Sequence, residues 1–575
     1  MKDVREATGR RVRRLAVVGL TLAPMTAGLA VAQLHPPVIV LVSQTARGMS
    51  AEGRSEIPAV NLNGLIAAYS SDAVDLVSPP APNPLNQTYA RDLTLVTSAL
   101  VSKAPDGTAG NRPSQNSGFP PGISDDGRFI AFSSGATNLV PDDTNGLEDV
   151  FVYDRQQGTT QLISQGIDGP SNGVSSLPKI SGDGRYVVFQ SNATNLVADP
   201  GNAVSDIYLF DRTTGATVRL SVAADGSPAN GQSITPNISA DGRVVAFASR
   251  ATNLVDQPTT GTFEQVFARE WQTGHTELVS LSSGGAPGNA TSFLPALSGD
   301  GSQVAFKSEA FNLVPNDTNG VPDVFVRDRT NGTTQRVSVD SFGNQSNGLS
   351  GGPGISSDGR FVAFPSFASN LVPEDSSGQG NVYVYDRSPS GRSQGLIARV
   401  TVGLDGAQPN DGVSDFPVTI SGDGRWIGFA SAASNLVPND FNNELDAFLG
   451  CNPFDEFACA APTPTPAPHA CVGDCNGDGE VTIDDLIRMV NIALDLQPLC
   501  PSDASAGCLA GDADCDCAIT VDEIIRGVQN SLQTVCHDFG DCTMADHEQM
   551  CCAAPPATST PTPTAPATPA ATTPG

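Results

Sequence analysis

The sequence predicts a mainly β fold, a seven-bladed β-propeller. The first observation is a repeat whose turn residues are spaced by 57 to 65 positions, at Asn63, Asp126, Asp183, Asp241, Asp300, Asp358 and Asp423. The second is that each unit holds four strand-like runs. The third is that the last unit lacks its fourth run, and a matching run stands near the start of the chain. Repeats of this size build propellers or solenoids, in which each unit buries its faces against its neighbours.

Length and composition support a soluble protein with more than one module. The chain has 575 residues, with 61 acidic and 31 basic residues and a net charge of −30. Such a charge argues against nucleic-acid binding, which needs Lys and Arg to neutralise phosphates. The 58 glycines and 44 prolines indicate many turns between strands rather than long helices.

The second unit shows the strands most clearly. It reads "PGIS", the turn Asp126-Gly127, "RFIAFSS", then "DVFVYDR" at 149–155 and "TTQLIS" at 159–164. Asp-Gly between two apolar runs predicts a hairpin, because the tight turn needs a positive φ that glycine adopts without strain. The continuous apolar run in "DVFVYDR" predicts a strand covered on both faces, as in stacked sheets.

The ends of the array predict a closed ring. The last unit runs through "ISGDGRWIGFAS" (420–431) and "LDAFLG" (445–450) and then stops. The segment "VIVLVSQTARGMSAEG" (38–53) aligns with "TTQLISQGIDGPSNG" (159–173). The N-terminal strand is therefore expected to complete the last blade, which leaves no sheet edge open.

The motif "ISxDGRxxAF" followed by a strand such as "DVFVYDR" resembles the PD40 or TolB-like, WD40-type propeller repeat. The resemblance covers residues 36–450. The first unit fits it least well, with Asn63 for Asp, Leu65 for Arg and an indistinct third strand near 89–97.

Two polar features recur in the repeat, an arginine after the Asp-Gly turn and an Asx-rich stretch before the third strand. Arg185 and its equivalents are expected to hold a neighbouring turn or to pair with the Asp of "YDR". The stretch "PDDTNGLED" (141–149), which recurs in looser forms, places oxygen ligands for Ca²⁺ at Asp143, Asn145 and Asp149. The alternative is an Asx-rich turn whose side chains bond their own backbone.

No catalytic residue is predicted in the propeller. His275 stands at a strand turn where a solvated side chain is expected, and no Gly-x-Ser-x-Gly motif is present. With Trp271 and Trp426 as the only tryptophans, a sugar-stacking platform is not evident.

The N-terminus predicts export. Basic residues from Arg10 to Arg14 precede an apolar run that ends in Ala30-Val31-Ala32, as in a cleaved signal peptide at 1–32. An uncleaved membrane anchor is the alternative. The expected location is secreted, extracellular or cell-surface, with the periplasm also open.

All 12 cysteines lie at or after Cys451. In an exported chain they predict disulfides. A zinc cluster of Cys515, Cys517, His537 and His547 is the alternative. The region divides into a Pro/Thr linker at 451–470, a module at 471–535, a Cys-rich flank at 536–552 and a Pro/Thr/Ala-rich tail at 553–575 that is expected to be disordered.

The module at 471–535 carries two calcium-loop motifs. The EF-hand spacing of oxygen ligands is met in the first loop by Asp474, Asn476, Asp478, Glu480, Thr482 and Asp485. It is met in the second loop by Asp512, Asp514, Asp516, Ala518 through its backbone oxygen, Thr520 and Glu523. An apolar-faced helix is expected after each loop, which makes a tandem Ca²⁺ site the prediction.

The pair of loops resembles a type I dockerin, a small domain with two calcium loops, each followed by a helix. The resemblance implies Ca²⁺ as cofactor and docking onto a cohesin-like partner, often on polysaccharide-degrading assemblies. Three features depart from the family pattern: Cys517 at the turn glycine of the second loop, and the pairs Ile483-Asp484 and Val521-Asp522 at the recognition positions.

The functional prediction is an exported, non-enzymatic binding or scaffold protein. Its propeller presents an interaction face to an unknown ligand, and its dockerin-like module binds Ca²⁺ and attaches the protein to a partner. The alternatives are a polysaccharide-acting hydrolase or lyase with a dockerin, and a purely structural surface protein.

Overall fold

The computed structural model of the protein describes residues 38–455, apart from 46–47, 79–83, 116–117, 200, 202–203, 258, 260, 374, 376–377, 389–394, 414 and 439. The predicted signal peptide, most of the linker, the dockerin-like module, the Cys-rich flank and the tail lie outside the described residues. In the part that is described, no helix has the length and apolar character needed to cross a membrane.

The described residues form seven four-stranded antiparallel sheets, each a blade of the propeller. Blade 1 contains β2 (Ala59–Val60), β3 (Ile66–Ser71), β4 (Gln87–Asp92) and β5 (Thr97–Leu100). Blade 2 contains β6 (Gly122–Ile123), β7 (Phe129–Ser134), β8 (Asp149–Asp154) and β9 (Thr159–Leu162). Blade 3 contains β10 (Ser175–Ile180), β11 (Tyr186–Ser191), β12 (Asp206–Asp211) and β13 (Ala216–Arg219).

The remaining blades follow the same order from the inner to the outer strand. Blade 4 contains β14 (Ser233–Ile238), β15 (Val244–Ser249), β16 (Gln265–Glu270) and β17 (His275–Leu278). Blade 5 contains β18 (Ser292–Leu297), β19 (Gln303–Ser308), β20 (Asp323–Asp328) and β21 (Thr333–Arg336). Blade 6 contains β22 (Gly354–Ile355), β23 (Phe361–Ser366), β24 (Asn381–Asp386) and β25 (Leu396–Arg399), and a 3₁₀ turn follows at Leu404–Gly406.

Blade 7 is closed by the N-terminal strand, as the sequence predicts. It contains β26 (Thr419–Ile420), β27 (Trp426–Ser431) and β28 (Asp446–Cys451), and β1 (Ile39–Leu41) is its fourth strand. β1 pairs antiparallel with β28, with Leu41 opposite Phe448. The weakly patterned first unit also folds regularly, because β4 and β5 pair in register as in the other blades.

The hydrophobic core lies between neighbouring blades. Every blade contributes one aromatic pair to it. An aromatic ring of the second strand lies directly opposite one of the third strand, with ring centroids 5.6 to 6.3 Å apart. The pairs are Tyr69–Tyr89, Phe132–Phe151, Phe189–Tyr208, Phe247–Phe267, Phe306–Phe325, Phe364–Tyr383 and Phe429–Phe448. Such cross-strand pairs stabilise a sheet beyond the area that they bury.

The Asp-Gly turn between the first two strands is built as predicted, with one addition. Gly184 has φ +71°, and the Asp183 carboxylate accepts hydrogen bonds from the Ser181 hydroxyl and from the Arg185 backbone N–H. The Ser181 hydroxyl also accepts a hydrogen bond from the backbone N–H of Tyr186 at 2.9 Å. Serine and aspartate side chains therefore fix the turn.

The predicted pairing of the turn arginine is confirmed. Arg185 donates two hydrogen bonds to Asp211, at 2.9 and 2.8 Å, and Arg128–Asp154 and Arg360–Asp386 repeat the contact. In blade 4 Glu270 stands at the position that Asp211 has in blade 3. The turn arginine of this blade, Arg243, forms its ion pair with Asp241 of its own turn instead, at 3.7 Å.

We expect Arg185→Ala to lower the midpoint of thermal unfolding at pH 7, whereas Arg243→Ala leaves it nearly unchanged. The hydrogen bonds of Arg185 lower the pKa of Asp211 below its ordinary value of 3.8. A lowered folded-state pKa stabilises the fold above the unfolded pKa, and this contribution is lost as the pH falls below it. The difference between wild type and Arg185→Ala should therefore shrink in unfolding curves recorded below pH 3.8. Equal losses for the two variants at pH 7 would contradict the assignment.

Candidate functional site

The strand order gives the propeller two different faces. Because neighbouring strands are antiparallel, the links between the second and third strands and the links from one blade to the next emerge on the same side. We call this side the loop face. The short turns of the other links, including the Asp-Gly turns, form the turn face.

Asparagine side chains hold the loops of the loop face together. In six places an asparagine backbone N–H from an inter-blade link donates to an asparagine Oδ1 in the following blade, at 2.9 to 3.0 Å. The pairs are Asn111–Asn138, Asn172–Asn195, Asn230–Asn253, Asn289–Asn312, Asn347–Asn370 and Asn410–Asn435. The sequence signal was the Asn of the repeated "NLV" with an Asn about 25 residues before it, which stands in "SNG" or "ANG" in three of the six pairs. These loops form a braced surface.

The loop face carries exposed aromatic side chains. Phe342 is 84% exposed, Phe441 70% and Phe311 65%. Within the described residues, the other exposed phenylalanines, Phe263 and Phe416, also lie on this face. Exposed aromatic side chains concentrated on one face are typical of an interaction surface.

The first strands of the blades line a central channel that holds a cavity of about 240 Å³. At one shared strand position most blades carry a small residue, namely Ala59, Gly122, Ala296, Gly354 or Thr419, while blades 3 and 4 carry Lys179 and Asn237. Of the described residues that line the channel, Asp125 and Lys179 are the charged ones. The wall therefore combines small and apolar side chains with a few polar ones, such as Asn61 and Asn237.

Lys179 is the long basic side chain of the channel, which the sequence analysis did not single out. A register shift in β10 between Ser176 and Lys179 precedes it. Its Nζ donates to the backbone oxygens of Pro120 at 2.7 Å and Pro121 at 3.5 Å, and burial lowers its pKa to about 8. The lysine thus links blades 2 and 3 across the channel wall. A single Lys in a repeat that elsewhere carries small residues was its sequence signal.

The histidine and the two tryptophans of the described propeller lie in three different environments. His275 begins β17 and is exposed on the turn face. Trp271 donates from Nε1 to the Gly242 backbone oxygen at 2.8 Å, and Trp426 is buried in the core. These tryptophans pack against the protein rather than offering a flat exposed platform.

The loop around Asp143 combines an Asx turn with an unusual buried carboxylate. Asn145 accepts from the Leu147 backbone N–H at 2.8 Å and donates to Asp149 at 2.6 Å, so the Asx turn is confirmed. Asp143 is only 3% exposed, and neither carboxylate oxygen has a hydrogen-bond partner of normal geometry. Burial raises the pKa of Asp143 to about 6, with the Asp149 charge adding to the rise and Arg112 opposing it.

Blade 7 holds a second such group. Asp440 is 4% exposed, and both of its oxygens lack a partner of normal geometry, as does Oδ2 of Asp446. Burial raises the pKa of Asp440 to about 6. Burial also raises the pKa of Asp446 to about 7, with the Ser43 hydrogen bond opposing and the Asp440 charge adding to the rise.

The twelve ligands predicted for the two EF-hand-type loops, from Asp474 to Asp485 and from Asp512 to Glu523, lie outside the described residues. The same holds for Cys515, Cys517, His537 and His547 of the alternative zinc cluster. The Ca²⁺ sites and the dockerin-like fold therefore stay predictions.

Comparisons with known proteins concern the propeller. No family model matches the chain, and no curated protein matches it. Among solved structures, TolB from Acinetobacter baumannii is 15% identical, with a TM-score of 0.33, over 63% of this chain and 66% of TolB, just under two thirds of that protein. An oligogalacturonate lyase in complex with manganese is 12% identical, with a TM-score of 0.43, over 73% of this chain and 97% of the lyase. The β-propeller domain of the Trilobed protease from Pyrococcus furiosus is 11% identical, with a TM-score of 0.41, over 69% of this chain and 95% of that domain.

Proposed function

We propose that this protein is an exported, non-enzymatic binding protein. Its propeller binds a macromolecular partner through the loop face, and its C-terminal segment 471–535 binds Ca²⁺ and attaches the protein to a second, cohesin-like partner. The observation that carries the first part is the concentration of exposed phenylalanines on the braced loops of one face. Aromatic anchors on a preformed surface contribute most to affinity in protein interfaces.

The channel supports binding rather than acid–base catalysis. A hydrolase of the carboxylate-pair type needs two acids flanking the scissile bond, whereas the described channel lining offers Asp125 and Lys179. The ammonium group of Lys179 is held by two backbone oxygens. A polysaccharide hydrolase or lyase is the alternative, and its proton transfer would rely on Lys179 or Asp125 of the channel lining.

Site-specific photocrosslinking tests the face. We expect a photoreactive phenylalanine analogue at position 342 to form adducts with a partner protein in the producing cells. The same analogue at Leu95, which is exposed on the turn face, should form none. Equal adducts at both positions would contradict the proposal. Conversion of polysaccharides by the purified chain, abolished by Lys179→Met, would favour the alternative.

Ca²⁺ binding by the full chain tests the calcium part of the proposal separately. In the full chain, the pair Asp474→Ala and Asp512→Ala should remove the Ca²⁺ sites of the C-terminal segment. Unchanged Ca²⁺ binding in this double variant would overturn the attachment role while leaving the loop face untouched.

A further inference from the structure

All seven blades share one hydrogen bond at the start of the third strand. The first residue of that strand accepts from the hydroxyl of a serine two residues after the fourth strand, or of Thr401 in blade 6, at 2.6 Å in most cases and 2.5 or 2.8 Å in the others. The acceptors in blades 1 to 7 are Gln87, Asp149, Asp206, Gln265, Asp323, Asn381 and Asp446. The shared bond makes these positions equivalent, so the groups around them can be compared blade by blade.

A second equivalent position lies on the fourth strand, two residues before that hydroxyl. In every blade it is opposite the third residue of the third strand; Leu162 faces Phe151 as Arg336 faces Phe325. The residues in blades 1 to 7 are Leu100, Leu162, Arg219, Leu278, Arg336, Arg399 and Leu41. Three blades therefore carry a cation there, and four carry leucine.

In blades 3 and 5 this arginine lies between two aspartates. Arg336 Nη1 is 3.2 Å from Asp317 Oδ1 and 3.5 Å from Asp323 Oδ2. Arg219 is 3.4 Å from each of Asp199 and Asp206. In blade 5 both aspartates are buried, and the guanidinium supplies the positive charge that two such carboxylates require. In blade 3 Asp206 is buried and Asp199 is exposed.

Blades 2 and 7 have the two aspartates but not the arginine. The loop of blade 2, "DTNGLED", matches that of blade 5, "DTNGVPD", yet Leu162 stands where blade 5 has Arg336. Blade 7 has Asp440 and Asp446 with Leu41 at that position. In these blades both oxygens of Asp143, both of Asp440 and Oδ2 of Asp446 lack a hydrogen-bond partner of normal geometry.

Leucine at this position is not by itself unusual, as the remaining blades show. Blades 1 and 4 also have leucine, but their third strands begin with the neutral Gln87 and Gln265. Blade 6 has Asp375 with the neutral Asn381 and carries Arg399. Within the described residues, only blades 2 and 7 combine two buried aspartates with no arginine at this position.

We propose that blades 7 and 2 each bind a Ca²⁺ ion between these aspartates, where other blades place a guanidinium. The ligands are the carboxylates of Asp440 and Asp446 in blade 7, and of Asp143 and Asp149 in blade 2. Carboxylates in irregular loops suit Ca²⁺, which accepts several oxygen ligands in flexible geometry. No group of three or more His, Cys, Asp or Glu side chains arranged for a metal occurs in the described residues, so neutral oxygens and water complete each shell.

The charges around the two sites differ. Each site has an acidic neighbour, and in blade 2 it is Glu148, which acts on Asp149. Blade 2 also has the cation Arg112, which acts on Asp143 and donates to the Gly146 backbone oxygen at 2.8 Å. In blade 7 the nearby charge acting on Asp446 besides Asp440 is the acidic Glu444. A positive neighbour repels a cation and a negative one attracts it, so blade 7 binds Ca²⁺ more tightly than blade 2.

The blade 7 ion lies where the ring closes. Ser43 of the N-terminal segment donates to Asp446, Asn442 donates to the Ala51 backbone oxygen at 2.6 Å, and the Phe441 backbone N–H donates to Ser50. An ion held by Asp440 and Asp446 therefore stabilises the contacts that join the two ends of the propeller. Ca²⁺ is expected to raise the thermal midpoint of the ring as a whole.

The test is calorimetric titration of the full chain with CaCl₂ after chelator treatment. The chain carries Asp474→Ala and Asp512→Ala, so that the C-terminal loops do not contribute. We expect about two ions per chain with a Kd on the order of 10⁻⁴ to 10⁻³ M, and a higher thermal midpoint with Ca²⁺. Adding Asp143→Asn and Asp440→Asn should remove both ions. The charge-matched control, Asp199→Asn with Asp317→Asn in the arginine-containing blades, should retain both.

Two further variants test the equivalence of arginine and ion. Leu41→Arg should abolish the blade 7 ion, and Arg336→Leu should create a third site in blade 5, with circular dichroism confirming the β fold of each. The inference is overturned if the Asp474→Ala and Asp512→Ala chain binds no Ca²⁺ at millimolar concentration. It is also overturned if the control pair lowers binding as much as the test pair, or if Mg²⁺ binds as tightly as Ca²⁺. None of these results depends on whether the C-terminal segment binds Ca²⁺, which the unmodified chain reports by its additional ions.

Discussion

Replacing Val42 with aspartate is expected to lower the free energy of unfolding by about 4 kcal/mol or more. Val42 follows β1, is fully buried in the core cluster between blades 7 and 1, and donates its backbone N–H to Ala447 at 2.8 Å. A carboxylate there would replace methyl groups among the apolar side chains of that cluster, where its desolvation is costly. The substitution should also release the N-terminal strand and expose β28 as an open sheet edge.

Urea unfolding followed by tryptophan fluorescence measures the effect, with chelator present so that metal binding does not contribute. Val38→Asp is the matched control, because Val38 belongs to the same segment but is 38% exposed. The control should change stability by less than about 1 kcal/mol. If Val42→Asp and wild type unfold at the same urea concentration, the N-terminal strand does not hold the ring closed.

Replacing Gly184 with alanine is expected to destabilise the protein by about 3 kcal/mol. A left-handed backbone disfavours any side chain by about 1 to 2 kcal/mol, and Gly184 has φ +71°. A Cβ at this position would also lie 2.2 Å from the Phe129 ring of the preceding blade. Relieving that overlap requires a shift of packed side chains, which costs about 1 to 3 kcal/mol.

Gly215→Ala separates the two contributions. Gly215 has nearly the same φ, +73°, but has no atom within 4 Å of the added Cβ. This variant should lose only the backbone contribution of about 1 to 2 kcal/mol. Equal losses for the two variants in the same urea experiment would show that the contact between blades 2 and 3 at Gly184 has no energetic weight.

The blades and the closure of the ring could be predicted from the sequence because both depend on local patterns. Consecutive apolar residues in "DVFVYDR" and the turn signal Asp-Gly are read from neighbouring residues. The pairing of β1 with β28 followed from counting strands in each unit. The less regular first unit also folds as a full blade, since its Tyr69–Tyr89 pair packs like the aromatic pairs of the other blades.

The candidate sites could be predicted only in part. The sequence singled out Asp143 and Asp149 as oxygen ligands, but gave no reason to distinguish their loop from the matching loop of blade 5. The difference is Leu162 against Arg336, residues that lie 13 positions after Asp149 and Asp323 and meet the loop only when the third and fourth strands pair. Lys179 was missed for a similar reason, because its carbonyl partners belong to the neighbouring blade.

The turn glycine Gly184 separates what the local sequence predicts from what only the tertiary structure shows. From "SGDGR" alone, a positive φ at Gly184 follows, because an Asp-Gly turn between two strands requires it. The sequence thereby determines the turn, the strands on either side and the number of blades. Only the folded ring shows that the same glycine lies against Phe129 of the preceding blade, and that equivalent contacts recur, such as Gly242 on Tyr186. Local backbone geometry is encoded by adjacent residues, whereas contacts between blades depend on side chains that lie far apart in the chain until the sheets stack.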